Sequence, residues 1–98
     1  IMLTCLNGYF VESTRDSLSE ALLKKTVGGA VASWTSSGET TPDIQEIMAK
    51  RFYDQIALNA TMKRLGDFVN DSKTTIPGGR DVRLSWVLLG DPALKIRQ

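Results

Sequence analysis

The stretch Leu3-Thr4-Cys5-Leu6-Asn7-Gly8-Tyr9-Phe10 places the only cysteine of the 98-residue chain at the end of a short apolar run, directly before an Asn-Gly turn signal. Met2 to Leu6 reads as a short buried strand. A thiol at the carboxyl end of such a strand lies where open α/β sheets carry their chemistry. From position alone, two readings of Cys5 stand level: a nucleophile, or a buried thiol that packs as a small hydrophobe. The imidazole that usually activates a thiol is missing, because the sequence contains no histidine. A catalytic Cys5 therefore needs a base from elsewhere. Ile1 opens the chain inside the expected strand, which reads as a cut rather than a natural beginning.

Downstream, strand and helix signals alternate. Ser17-Leu18-Ser19-Glu20 forms a capping box, in which the Ser17 hydroxyl takes an orphan helix N–H and Glu20 reaches back. The helix it opens is expected to carry Leu18, Ala21, Leu22 and Leu23 inward and to stop near Lys25, before Gly28-Gly29. Ala30 to Trp34 follows as a second strand, apolar enough to be buried on both faces. Thr35 to Thr40 is a polar loop at the end of that strand, expected on the same rim as Cys5. Thr41-Pro42 reads as helix cap and first helical residue. Ile44, Ile47, Met48, Phe52 and Ile56 then recur at helical spacing to about Leu58. A third helix is expected from about Thr61 to Ser72, with Leu65, Phe68 and Val69 on its inner stripe. Pro77-Gly78-Gly79 marks a loop. The alternation of Val82, Leu84, Trp86 and Leu88 predicts a strand over Val82 to Leu89, ended by Gly90-Asp91-Pro92. Trp34 and Trp86 read as packing residues rather than as platforms for a ligand.

The resulting order, β-α-β-α-α-β, predicts an α/β fold: a mostly parallel sheet with flanking helices, its strands joined by crossovers. Met2 to Leu6 would form an exposed sheet edge, a surface open to association with another chain. The apolar fraction is 42%, the charged fraction 23% and the net charge +1, which argues against disorder. No basic run exceeds Lys24-Lys25, so nucleic-acid binding has no electrostatic footprint. No apolar stretch approaches the roughly 20 residues needed to span a bilayer. There is no internal repeat.

Four blocks resemble one family. Cys-Leu-Asn-Gly-Tyr-Phe (Cys5 to Phe10), Ser-Glu-Ala-Leu (Ser19 to Leu22), Gly-Gly-Ala-Val-Ala (Gly28 to Ala32) and Trp-Val-Leu-Leu-Gly-Asp-Pro-Ala-Leu (Trp86 to Leu94) are similar, in this order, to the carboxyl-terminal part of gingipain-like cysteine peptidase domains. The resemblance implies a caspase-like fold, of which residues 1–98 would be the later half, with a catalytic His-Gly segment upstream. It implies Cys5 as the nucleophile, a peptide or protein as substrate, and a secreted or cell-surface location. On the rim, Ser36, Ser37 and Glu39 are the residues it points to for substrate binding. Glu39 has two readings: a solvated loop acid, or a charge that favours a basic substrate side chain. The resemblance implies no cofactor, and Asp91 lacks a partner carboxylate at calcium-loop spacing, so no metal site is expected. Lacking a histidine, the chain is expected to be inactive alone. The alternative is a non-catalytic peptidase-like module kept for binding or assembly, with Cys5 an inert remnant.

Overall fold

The computed structural model describes residues 4–59 and 63–96. Helix α1 (Leu18–Lys24) begins at the capping box. The Glu20 carboxylate accepts from the Ser17 N–H at 2.8 Å while the Glu20 N–H donates to the Ser17 hydroxyl at 3.3 Å. Its inner face differs from expectation. Leu18 is 49% exposed, whereas Ser19 is fully buried. The Ser33 hydroxyl donates to the Ser19 hydroxyl at 2.9 Å, so a small polar pair joins α1 to the following strand in place of a leucine stripe.

That strand, β1 (Ala32–Ser36), lies two residues later than the expected Ala30 to Trp34: Val31 is 80% exposed, and the buried run is Ser33 to Ser36, so Thr35 and Ser36 belong to the strand and not to the loop. Trp34 enters the core with α2 (Pro42–Asn59) and α3 (Leu65–Thr74). The buried residues of α2 are Gln45, Met48, Ala49, Phe52 and Gln55. Ile47, expected inside, is 44% exposed. The stripe is rotated because Gln55 bridges to α3, where its amide donates to the Ser72 hydroxyl at 3.1 Å and to the Phe68 carbonyl at 3.4 Å. The amide N–H groups of Gln55 thus find acceptors, which offsets part of the cost of its burial, while its Oε1 has no partner among the described residues.

The expected strand from Val82 to Leu89 is split. Arg80–Ser85 forms a short helix, α4, and only Trp86–Gly90 forms the strand β2. Val82 and Trp86 are both fully buried, and they stand four residues apart, a helical spacing; Leu84 between them is 68% exposed. The alternation from Val82 to Trp86 reflects helical spacing rather than a pleat.

Pairing also departs from expectation. Among the described residues the sheet has two strands, β1 and β2, and they run antiparallel, with Ser36 opposite Trp86 and Ala32 opposite Gly90. A mostly parallel sheet is therefore not what these strands form. The chain leaves β1 at Ser36, makes its excursion through α2, α3 and α4, and returns at the same end, where the Ser37 N–H donates to the Ser85 carbonyl at 2.8 Å. Re-entry at the end of departure forces reversed strands. The first strand expected from Met2 to Leu6 has no counterpart either: Thr4 to Leu6 is bend and turn, and Met2 and Leu3 lie outside the described residues.

The closing motif has a structural task. Asp91 accepts from the Ala93 N–H at 2.8 Å, a turn that ends β2. The carbonyls of Pro92 and Leu94 then accept from the N–H groups of Gly66 and Leu65, at 2.9 and 2.7 Å. These are orphan donors of the first turn of α3. A Cβ at position 66 would stand 3.0 Å from the Pro92 ring and 3.1 Å from its carbonyl oxygen, so a larger residue would push the two segments apart by a few tenths of an ångström. Trp34, Phe52, Phe68 and Trp86 fill the core in tilted and edge contacts, with Trp34 and Trp86 centred 5.4 Å apart. Both tryptophans are core residues, as expected.

Phe68 is completely buried at the α2–α3 contact. Phe68→Ala is expected to lower unfolding free energy by about 3–5 kcal/mol in urea titration. A loss under 1 kcal/mol, on the order of an exposed site, would contradict this packing.

Candidate functional site

Cys5 lies in a tight turn. Leu6 adopts a left-handed conformation with φ 62°, and the Tyr9 N–H donates to the Leu6 carbonyl at 3.1 Å. Two backbone bonds tie this turn to the rest of the fold. The Gly8 N–H donates to the carbonyl of Ser36, the last residue of β1, at 2.9 Å. The Ser19 N–H in α1 donates to the Asn7 carbonyl at 3.0 Å. The Asn-Gly pair is thus a turn, as its sequence suggests. Gly8 is buried, and a Cβ there would meet the Thr35 methyl at 2.4 Å and the Ser36 carbonyl oxygen at 3.3 Å. Contact with the sheet end depends on that missing side chain.

The thiol is exposed rather than packed as a core residue. It reaches the loop after β1 and is bracketed there by one residue. The Cys5 Sγ–H donates to the Thr40 carbonyl at 3.3 Å, and the Thr40 N–H donates to Sγ at 3.4 Å. Thr40 is anchored in turn, because the amide of the buried Gln45 donates to its hydroxyl. Cys5 and the loop after β1 therefore meet at one end of the sheet, as expected, although a turn and not the expected strand brings Cys5 there.

The three rim residues differ in how they are used. Ser36 is fully buried. Its hydroxyl donates to the Gly38 carbonyl at 2.8 Å and accepts from the Gly38 N–H at 3.3 Å, folding the loop back on the strand. The Ser37 hydroxyl donates to the Ser85 carbonyl at 2.8 Å, which pins the loop to the start of β2. Glu39 is exposed. It makes no hydrogen bond or ion pair among the described residues. Thr40, Gln45 and Ser85 were not singled out by the sequence, since hydroxyl and amide residues next to a loop carry no spacing signal. Their roles depend on partners 35 or more residues away or on a fold-dependent turn.

Beside the Cys5 turn lies an open hollow of about 340 Å³, lined by Leu6, Tyr9, Glu12, Arg15, Asp16 and Ser17. Hydrogen bonds from the Thr14 hydroxyl and N–H hold the Glu12 carboxyl below its usual range. Asp16 pairs with Lys24 at 2.7 Å. The hollow is of mixed charge. Among the described residues no group of three or more His, Cys, Asp or Glu side chains is gathered as a metal site, and no helix is long and apolar enough to cross a membrane.

These features define a small α/β domain with a single thiol held at one end of its sheet by a glycine turn and a serine-rich loop. The profile of Peptidase family C25 matches residues 1–97. The chain belongs to that family, the gingipain family, and its lineage is that of cysteine peptidases. Searches of curated proteins and of solved structures find no match to the chain.

The site's geometry generates one direct test. Gly8→Ala is expected to cost about 1–3 kcal/mol of stability through overpacking against Thr35. Thr35→Ser removes the obstructing methyl, so the double variant should recover a large part of the loss in the same unfolding experiment. Equal losses in the single and double variants would show that the Gly8–Thr35 approach is not the constraint.

Proposed function

We propose that this chain is the cysteine-bearing part of a gingipain-type, caspase-like peptidase domain, with Cys5 as the nucleophile and the base supplied by an upstream segment that carries a histidine. The observation that carries the reading is Cys5 itself: an exposed thiol at the rim of the sheet, in a chain of family C25. Family membership also supports hydrolysis of peptide bonds and an extracellular location, secreted or at the cell surface.

In this reading the imidazole takes the Cys5 proton and the sulfur attacks the carbonyl carbon of the peptide, forming an S–C bond as the carbonyl pair moves to oxygen. The Cys5 backbone N–H, with a second donor from the upstream segment, steadies that oxyanion. Collapse breaks the C–N bond, and the amine departs with the proton held by the imidazolium. Water, deprotonated by the imidazole, then attacks the thioester, releasing the acid and restoring the thiol. Ser36 and Ser37 serve substrate binding by giving the rim its shape, since their hydroxyls are engaged with Gly38 and Ser85. Glu39 is the rim side chain available to meet a basic substrate residue.

The test joins the chain to the segment encoded upstream of Ile1 and compares it with the 98-residue chain. The joined protein should hydrolyse peptides and label rapidly with iodoacetamide at Cys5, and the shorter chain should do neither. Cys5→Ala in the joined protein should lower turnover by about 10³-fold or more. A slow thiol in both forms, with no hydrolysis, would instead establish the non-catalytic module.

A further inference from the structure

Toward the ends of α3 and α4 lies a second open hollow of about 420 Å³, lined by Asn70, Lys73, Thr74, Arg83 and Leu84. Two of these residues are cations and none is acidic. The described ion pairs are Lys24–Asp16, Lys50–Asp54 and Arg51–Asp71, and neither Lys73 nor Arg83 takes part in one. Both have structural bonds. The Lys73 ammonium donates to the Trp86 carbonyl, and Arg83 donates to the carbonyls of Lys73 at 3.0 Å and Ile76 at 2.6 Å. An ammonium has three N–H donors and a guanidinium five, so each cation keeps donors beyond these bonds.

Carbonyl oxygens accept hydrogen bonds but do not neutralise a charge. Lys73 is half-buried, and its burial pushes the ammonium below the ordinary lysine value. Lys73 is only partly removed from water and Arg83 is exposed, so both charges stay open to an anionic partner. We propose that this hollow is a binding site for the carboxylate of an acidic peptide side chain, received between Lys73 and Arg83. Asn70 and Thr74 supply neutral donors at the rim. Leu84, 68% exposed, offers apolar surface to the methylenes of a glutamate. A carboxylate fits better than a phosphate. The lining lies at the carboxyl ends of two helices, whose dipoles disfavour any anion and a doubly charged one more than a carboxylate, and it lacks the helix N-terminal N–H groups that phosphate sites use. The site does not depend on the chemistry of Cys5.

The experiment is a titration of the ¹⁵N-labelled protein with acetyl-Glu-Glu-Glu-amide, its all-glutamine counterpart and inorganic phosphate, read from amide chemical shifts. The glutamate peptide should give saturable shifts centred on Asn70, Lys73, Thr74, Arg83 and Leu84. The glutamine peptide should bind about tenfold more weakly or less, the loss expected for a charge-assisted hydrogen bond. Lys73→Met should weaken the glutamate peptide by about the same factor. Because Lys73 also bonds Trp86, Asn70→Asp provides a second variant: it leaves both cations in place and puts a competing carboxylate in the hollow. Equal binding of the two peptides, or undiminished binding by Asn70→Asp, overturns the proposal. So does phosphate binding as tightly as the glutamate peptide, which would mean an adventitious ion only.

Discussion

The antiparallel pairing of β1 with β2 is the constraint on which the rest of the molecule depends. The two strands are separated by residues 37–85, all helix and loop, and the pairing brings both ends of that excursion to one place. Trp34 and Trp86, placed diagonally across the ladder, present an edge contact to which Phe52 and Phe68 add the helices α2 and α3. Burying such rings gives the largest apolar stabilisation available to a chain of this size. The Ser37–Ser85 contact at the end of the ladder then sets where the loop after β1 can run.

That loop, in turn, decides where the thiol sits. Cys5 belongs to a segment joined to the fold by few bonds, and its partners are the backbone groups of Thr40. Ser36 holds the loop's shape, Gln45 holds Thr40, and Gly8 lets the cysteine turn approach the strand end. The result is an exposed sulfur beside a preformed rim. Preformed geometry of this kind is what a nucleophile needs, because orientation removes entropy that the reaction would otherwise have to lose. The chain contains no histidine, so under the function proposed above the base reaches this rim from another segment.

Much of this was legible before the structure. The capping box of α1, the Pro42 start of α2, the Asn-Gly turn, the burial of both tryptophans and the meeting of Cys5 with the loop after β1 follow from local chemistry or from chain order. Three features were not. Val82 to Ser85 reads as a strand because apolar residues alternate there, yet Leu84 faces solvent and the segment is helical. Gln45 and Gln55 look like surface residues of α2 and are buried, with their amide N–H groups bonded to Thr40 and Ser72. The hydroxyls of Ser36 and Ser37 look available to a ligand, but both are bonded within the fold.

The sequence by itself determined the residue types at the rim, the local starts and stops of α1 and α2, and the family through its cysteine and Gly-Asp-Pro blocks. These are short-range properties: caps, turns and helical spacing act within a few residues. Only the tertiary structure decided the strand direction, the rotation of α2, the helical state of residues 80–85 and the partner of the thiol. Each of these depends on contacts between segments far apart in the chain. A hydrogen bond or a buried ring stabilises whichever arrangement supplies its partner, and the identity of that partner is not written in the neighbouring residues.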